Sequence, residues 1–413
     1  MVPEKKMTSY PKDKINILFL ENISDAAVKQ FTGGGYANVK KYNRALSEEE
    51  LLTAIKDVHL LGIRSKTQVT KKVLQAAEKL QAIGCFCIGV NQVDLETAME
   101  RGVAVFNAPY SNTRSVAELV IGASIMLIRR IPDKNKAAHE GRWEKDASGA
   151  HELRGKTMGI IGYGNIGKQV SVLAEGLGMK VIFFDTETKL PLGNAAMEKS
   201  LRSLVGKSDI VTLHVPELES TRNLVNNNLL RSFRKGSILI NYARGNVVDL
   251  YALRIALEKG SLGGAAIDVY PWEPEKNSDP FRTPLQGLNN VLLTPHIGGS
   301  TQEAQNNIGD DVGAKLFNYL EKGISTGSHT IPSLALPPLE RTHRILHIHK
   351  NVPGVMAEIN AGLSRNNINI VVQYVKTNEK IGYAVLDINK ELSKNAFELL
   401  KKVKATIKVR RLY

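Results

Sequence analysis

Cysteine is scarce in this chain. Cys85 and Cys87 are the only two among 413 residues, which excludes a disulfide-built scaffold. They stand two apart in the apolar run 83–88, where a strand would place both thiols on one face, a poor geometry for bridging. No second cysteine pair or nearby histidine completes a metal site, so none is expected and the pair reads as buried thiols. Such usage fits the reducing cytoplasm. Long apolar runs are also missing. The longest uncharged apolar stretch, residues 119–128, falls far short of the ~20 residues of a membrane-spanning helix. Residues 1–14 are polar and mixed in charge, with no apolar core ahead of a small-residue cleavage site, so no secretory signal is expected. Low-complexity tracts and short tandem repeats are absent as well.

Acidic residues are outnumbered, 41 against 55 basic ones, for a net charge of +14. The Lys and Arg are spread along the chain, and no zinc-finger or RNP-type motif accompanies them, which argues against nucleic acid as a partner. A basic surface that steers small anionic substrates fits better.

A chain of 413 residues implies two or three domains. Residues 15–20, 59–63, 80–88 and 103–106 read as buried strands. Helical segments lie between them, one opened by the capping box of Ser47 and Glu50 and another over 71–79. Strands alternating with helices predict a parallel sheet covered on both faces. A long helix over 114–130 would lead into a second unit of the same kind. Its strands are expected at 158–161, 181–184, 210–215, 237–241, 265–269 and 291–293. A helix over 301–322 would return the chain to the first unit, ahead of a linker over 324–338. The remainder reads β-α-β-β-α-β, a ferredoxin-like order, with strands at 344–349, 370–375, 383–388 and 407–412 and helices at 356–365 and 392–403. The expected α/β architecture is two Rossmann-like doubly wound domains, 1–110 with 301–338 and 111–300, and a small domain over 339–413.

The strand at 158–161 runs into Gly162-Tyr163-Gly164-Asn165-Ile166-Gly167, a G-x-G-x-x-G turn that opens a helix. The first glycine permits the tight turn, the second lets backbone approach a pyrophosphate, and the third lets helix pack on strand. The helix N-terminus offers free N–H groups to the phosphates. Asp185 ends the next strand, 23 positions after Gly162, where an acid on the adenosine ribose belongs. With Glu187 beside it, a 2′-phosphate is disfavoured and NAD is the expected cofactor rather than NADP.

Three further segments end strands of this unit: 241–245 with Arg244, 268–274 with Glu273, and 293–299 with His296. In a doubly wound sheet ligands bind beyond the carboxyl ends of the strands, so these residues should converge on the cofactor crevice. Arg can hold a substrate carboxylate with a two-pronged hydrogen bond. His can take the hydroxyl proton as a hydride leaves, and a carboxylate beside it would orient the ring and favour its protonated form. The chemistry implied is oxidation of a 2-hydroxy acid, with Arg244, Glu273 and His296 as the catalytic set.

Together with Ala243-Arg244-Gly245, Ala266-Ile267-Asp268-Val269 and Thr294-Pro295-His296-Ile297-Gly298-Gly299, the glycine turn resembles the D-isomer-specific 2-hydroxyacid dehydrogenase family. The likeness to the phosphoglycerate-type members covers nearly the whole chain, including Gly62-Ile63-Arg64-Ser65, Asn91-Gln92-Val93-Asp94, Asn107-Ala108-Pro109 and residues 112–118. The resemblance implies NAD-dependent oxidation of 3-phospho-D-glycerate to 3-phosphooxypyruvate, the entry step of L-serine biosynthesis, with a side activity on 2-oxoglutarate. It implies substrate contacts from Arg64, Ser65 and Asn112, and from Lys145 toward a neighbouring subunit. It implies cofactor contacts from Asn165, Ile166, His214, Pro216, Ala243, Arg244, Asp268, His296 and Gly298, and a homotetramer. The same fold serves nicotinamide-sensing corepressors of the family, a role that the tail and the phosphoglycerate-type motifs speak against.

The tail, with His349-Lys350-Asn351-Val352-Pro353-Gly354-Val355 and Asn369, resembles an ACT regulatory domain. That resemblance implies L-serine as a feedback effector bound by His349, Asn351 and Asn369 between two such domains. The linker 338–343 lacks the Gly-Gly hinge of some serine-sensitive members, which implies a stiffer connection; Gly298-Gly299 is a second candidate hinge.

Overall fold

The computed structural model describes residues 11–274, 278–338 and 342–412. The first sheet is five-stranded and wholly parallel, formed by β1 (Asn16–Phe19), β2 (Asn38–Lys41), β3 (Leu60–Ile63), β4 (Ala82–Cys85) and β5 (Ala104–Asn107). Its order is β2-β1-β3-β4-β5. Strands β3, β4 and β5 are buried at every position, as continuous apolar runs must be when helices cover both faces.

The second sheet has seven strands: β6 (Thr157–Ile161), β7 (Lys180–Phe184), β8 (Ala196–Met197), β9 (Ile210–Leu213), β10 (Ser237–Asn241), β11 (Leu262–Ile267) and β12 (Val291–Leu293). Its order is β12-β11-β10-β9-β6-β7-β8. The chain builds outward from β6 to β8, then returns to the other side of β6 as β9. That reversal makes a topological switch point between β6 and β9, where such sheets open a ligand crevice.

The third sheet holds β13 (His343–Lys350), β14 (Ile370–Thr377), β15 (Ile381–Ile388) and β16 (Thr406–Leu412). It is antiparallel where strands pair, in the order β14-β15-β13-β16, the ferredoxin-like arrangement expected of an ACT domain.

Packing divides the chain into two compact units. One runs to Ser111 and resumes at Gln305; the other is Asn112–Ala304. The third sheet belongs to the first unit. Leu346, Ile348, Tyr383 and Leu412 share a core with Phe19, Phe106, Val312, Leu316 and Tyr319. The last three lie on the helix Gln302–Lys322. Arg344, fully buried at the start of β13, grips Asp387 through two hydrogen bonds of 2.7 and 2.8 Å and donates to the carbonyls of Lys322 and Pro337.

Several local expectations change. The helix read over 114–130 is Thr113–Ile128, and a separate helix, Ile131–His139, follows it. Arg130 adopts a left-handed φ of 56° between them, and Pro132 opens the new helix, where its missing N–H costs nothing. The helix Asp25–Gly33 and strand β2 are additions to the expected elements. β4 ends at Cys85, so Cys87 does not share its face; its thiol contacts the Gly89 carbonyl at 3.2 Å instead. Both cysteines are free. The central residues of the linker over 338–343 lie outside the described residues.

Candidate active site

The nucleotide site grows from the switch point. Gly162 follows β6 with a φ of 93°, and a Cβ there would lie 2.5 Å from the His214 carbonyl oxygen. Only glycine fits. A Cβ on Gly167 would strike the Gly162 carbonyl, so the helix Asn165–Gly176 packs directly on the turn. Gly164 stands at the N-cap of that helix with no capping side chain, and open space surrounds its Cβ position. The helix N-terminus thus keeps its amides available to phosphates. Tyr163 is core rather than ligand: it stacks on Phe183 at 3.8 Å between ring centroids, and its hydroxyl bonds Ser171 and the Leu192 amide.

Asp185 follows β7 and accepts hydrogen bonds from the amides of Tyr163 (2.8 Å) and Glu187 (3.1 Å), which set its carboxylate beside the turn. His214 follows β9. Its Nε2 meets Thr212 Oγ1 at 3.0 Å, while Nδ1 is buried with no hydrogen-bond partner. Burial depresses its pKa to about 3, so the ring is neutral. An orphaned nitrogen at the switch point, open space at Gly164 and an acid on the next strand fit a dinucleotide. The residues present fit NAD.

The reactive groups sit on three successive strand ends of the same unit. Asn241 ends β10 and folds the next turn, accepting from the Ala243 amide (3.1 Å) and donating to the Arg244 carbonyl (3.0 Å). Gly245 follows because a Cβ would collide with the Tyr270 backbone. Arg244 Nη1 donates to the Ala243 carbonyl at 2.7 Å, and its charge reaches both Glu273 and His296.

His296 adopts a left-handed φ of 53°. Its loop is pinned from beneath by Asp268, whose buried carboxylate accepts from Thr294 Oγ1 (2.6 Å), the Ile297 amide (2.8 Å) and the Gly298 amide (2.8 Å). The His296 amide donates to the Asp268 carbonyl at 2.8 Å. Backbone strain of this sort persists only where surroundings over-determine it. The Tyr270 hydroxyl adds a tie between the carbonyls of Ile267 and Thr294, both at 2.9 Å.

Glu273 Oε2 lies 2.7 Å from His296 Nδ1, and its other oxygen accepts from the Tyr270 amide at 3.0 Å. The Glu273 bond, outweighing desolvation, raises the His296 pKa above its ordinary value. Burial alone would raise Glu273, yet the His296 bond and charge, with the Tyr270 amide and Arg244, bring it below the ordinary carboxylate value. Since Nδ1 is committed to Glu273, Nε2 is the nitrogen that can exchange a proton with substrate.

Asn112 belongs to this unit as well. Its Oδ1 is buried without a hydrogen-bond partner, and its side chain fills the space a Cβ on Gly299 would need. Lys145 lines a separate surface depression with Arg129, Lys134 and Glu144. Arg64 and Ser65 follow β3 in the other unit. His349 is buried at the end of β13, its Nδ1 donating to the Lys350 carbonyl at 3.0 Å and its Nε2 without a partner. Asn351 donates to the Asn378 carbonyl at 2.7 Å, and Asn369 is exposed just before β14. Asn241, Tyr270 and the bracing use of Asp268 were missed in the sequence, where nothing but their places at strand ends marks them.

A phosphate-ready turn that admits NAD, beside an imidazole set to trade a proton, describes an NAD-dependent oxidoreductase. Residues 121–298 match the D-isomer specific 2-hydroxyacid dehydrogenase, NAD binding domain, family, and residues 345–409 match the AHAS small subunit-like ACT domain. The chain is 50% identical over 405 residues to the D-3-phosphoglycerate dehydrogenase of Haemophilus influenzae, covering 98% of this chain and 99% of that one. It is 49% identical over 407 residues to that of Escherichia coli K12, with the same coverage. Among solved structures it resembles the D-lactate dehydrogenase of Aquifex aeolicus complexed with NAD and lactic acid, with a TM-score of 0.67 and 26% identity over 77% of this chain and 100% of that one. The chain belongs to the D-isomer specific 2-hydroxyacid dehydrogenase family, in its D-3-phosphoglycerate dehydrogenase branch.

Proposed function

We propose that this protein oxidises 3-phospho-D-glycerate to 3-phosphooxypyruvate, the first step of L-serine biosynthesis. The observation that carries the reading is the His296–Glu273 pair, 2.7 Å apart beside Arg244, in a chain whose full-length relatives are D-3-phosphoglycerate dehydrogenases. Arg244 holds the substrate carboxylate through paired N–H donors. His296 Nε2 removes the C2 hydroxyl proton as that carbon becomes a ketone, and Glu273 stabilises the imidazolium that results. NAD, when bound, accepts the hydride from C2. Asp185 would hold the adenosine ribose, and His214, whose Nδ1 lacks a protein partner, would contribute to the cofactor site. Asn165, Ile166, Pro216, Ala243, Asp268 and Gly298 line the cofactor site. Substrate contacts also come from Arg64, Ser65, Asn112 and, toward a neighbouring copy, Lys145. Run in the reductive direction, with NADH as the hydride source and the His296 imidazolium as the proton donor, the same site reduces 2-oxoglutarate to 2-hydroxyglutarate.

The domains assigned are a substrate-binding one (1–110 with 301–338), an NAD-binding one (111–300) and an ACT domain (339–413). The protein is assigned to the cytoplasm as a homotetramer. L-serine is the proposed effector. Asn369 precedes β14 at the end of the sheet where β13 starts, whereas His349 and Asn351 sit where β13 finishes. Some six strand residues, about 20 Å, intervene within one chain, so a pocket using all three takes them from two copies.

The test is NADH formation from 3-phosphoglycerate, glycerate, lactate and 2-hydroxyglutarate, with and without L-serine. Preference for 3-phosphoglycerate and loss of rate with serine are expected. Preference for an unphosphorylated acid would refute the substrate, and indifference to serine would refute the effector.

A further inference from the structure

Glu21 is a buried carboxylate in a place that hydrophobicity does not explain. It ends the segment after β1 with a φ of 60°, and Asn22 follows with a φ of 53°. Two successive left-handed non-glycine residues are strained, so something must hold them. The Glu21 amide donates to the Arg44 carbonyl and the Asn22 amide to that of Tyr42, both at 3.1 Å, which fixes the bend. The bend turns the side chain across to the segment after β3. There Oε1 accepts from the amides of Arg64 (3.1 Å) and Thr67 (2.9 Å), and Oε2 from the amide of Lys66 (3.0 Å). One carboxylate thereby gathers three amides from four consecutive residues, each a charge-assisted bond.

The opposite side of the same segment is held by Gln92, itself buried. Its Nε2 donates to the Arg64 carbonyl at 2.7 Å, while its own carbonyl accepts from the Val69 amide at 2.8 Å. The backbone on both flanks of Ser65 is therefore fixed by side chains that are themselves buried. A loop at the carboxyl end of a parallel strand is where a substrate group docks. A surface loop without a binding task has no need of a buried charge to shape it.

We propose that Glu21 and Gln92 are positioning residues that hold the Arg64–Ser65 segment in the conformation that receives the substrate anion. The inference rests on the reading of Arg64 as a substrate contact. Neither residue touches the reacting atoms. Each acts through the backbone of 64–67, so losing either loosens substrate binding and spares NAD.

The experiment uses the full-length enzyme and the isosteric variants Glu21→Gln and Gln92→Met, with Arg64→Ala as the check on the underlying reading. Glu21→Gln turns an acceptor for Lys66 or for Arg64 and Thr67 into an amide donor. Expected is a rise in KM for 3-phosphoglycerate of about tenfold to a hundredfold, as small misplacements of binding groups produce, with NADH affinity kept. Hydrogen exchange should speed up in peptides covering 64–67 and not in those covering 162–167. Gln92→Met should reproduce both effects more weakly. If Arg64→Ala leaves KM unchanged, the substrate reading of the segment fails. If Arg64→Ala raises KM while both isosteric variants bind substrate as the parent does, the positioning role is overturned. Should Glu21→Gln fail to fold, Gln92→Met decides by the same two measurements.

Discussion

His296 Nδ1 and Glu273 Oε2 are 2.7 Å apart, and this one bond sets both the tautomer and the charge preference of the imidazole. The raised His296 pKa has a defined sign in catalysis. Oxidation requires the neutral ring, so its rate should climb as pH rises through the folded pKa. Reduction requires the imidazolium and should decline over the same range. Glu273→Gln removes the largest cause of the shift, so the acid limb of kcat/KM for oxidation should move to lower pH and kcat should fall about tenfold or more. His296→Ala should cost about 10²- to 10⁴-fold in kcat, the usual worth of a general base, with NADH affinity retained by fluorescence titration. A pH profile identical in Glu273→Gln and the parent would remove Glu273 from this role.

Asp185 is held by the amides of Tyr163 and Glu187, so its negative charge stands at a fixed point beside the glycine turn. Hydrogen bonds from ribose hydroxyls to a carboxylate are worth about 1.5–3 kcal/mol. Asp185→Ser should therefore raise the KM for NAD about tenfold to a hundredfold and leave that for NADP nearly unchanged, narrowing the preference. Steady-state kinetics with both cofactors checks this. An unchanged NAD/NADP ratio would place the ribose elsewhere.

The features legible in the sequence are those whose physical reason is local. Gly162, Gly164 and Gly167 are spaced by the turn they make, and Asp185 by the length of one helix and one strand. Arg244 and Glu273 could be placed at strand ends because the apolar runs before them are short and continuous. What stayed hidden depends on partners distant in sequence. Nothing near Glu21 announces that its carboxylate serves amides at 64–67, and nothing near Asp268 distinguishes a cofactor contact from a brace for the loop 294–298. The helix Ile131–His139 was masked by the apolar helix ahead of it, although Pro132 marks its start. The association of the third sheet with the first unit could not be read either, since Leu346 and Tyr383 look like the core of an independent small domain.

Arg344 and Asp387 form a fully buried, two-pronged ion pair at the start of β13. Removing one partner of such a pair strands the other charge, which costs about 3–5 kcal/mol. Asp387→Ala should destabilise the protein by that amount in denaturant unfolding. Because the guanidinium also donates to the carbonyls of Lys322 and Pro337, the loss should be felt at the junction between the helix Gln302–Lys322 and the third sheet. Replacing both residues by apolar ones, Arg344→Met with Asp387→Leu, should recover much of the loss. A double variant no more stable than Asp387→Ala would show that the carbonyl contacts, rather than the stranded charge, dominate.

Asp268 connects the last two levels of the site. Its carboxylate accepts three hydrogen bonds from residues 294–298, and those bonds sustain the left-handed backbone of His296. Asp268→Ala would leave the amides of Ile297 and Gly298 and the Thr294 hydroxyl without their acceptor, and the buried Gly298 amide alone would cost about 1–3 kcal/mol. It would also free His296 to relax toward an ordinary φ, swinging the imidazole away from Glu273. Two consequences should therefore appear together: a lower Tm and a kcat reduced by about a hundredfold, as displacement of a catalytic group produces. Asp268→Asn separates them. It preserves the packing and one acceptor, so Tm should drop less, while the amides of Ile297 and Gly298 can no longer both be satisfied and kcat should still fall. A full return of kcat in Asp268→Asn would mean that shape alone, and not the carboxylate, holds His296 in place.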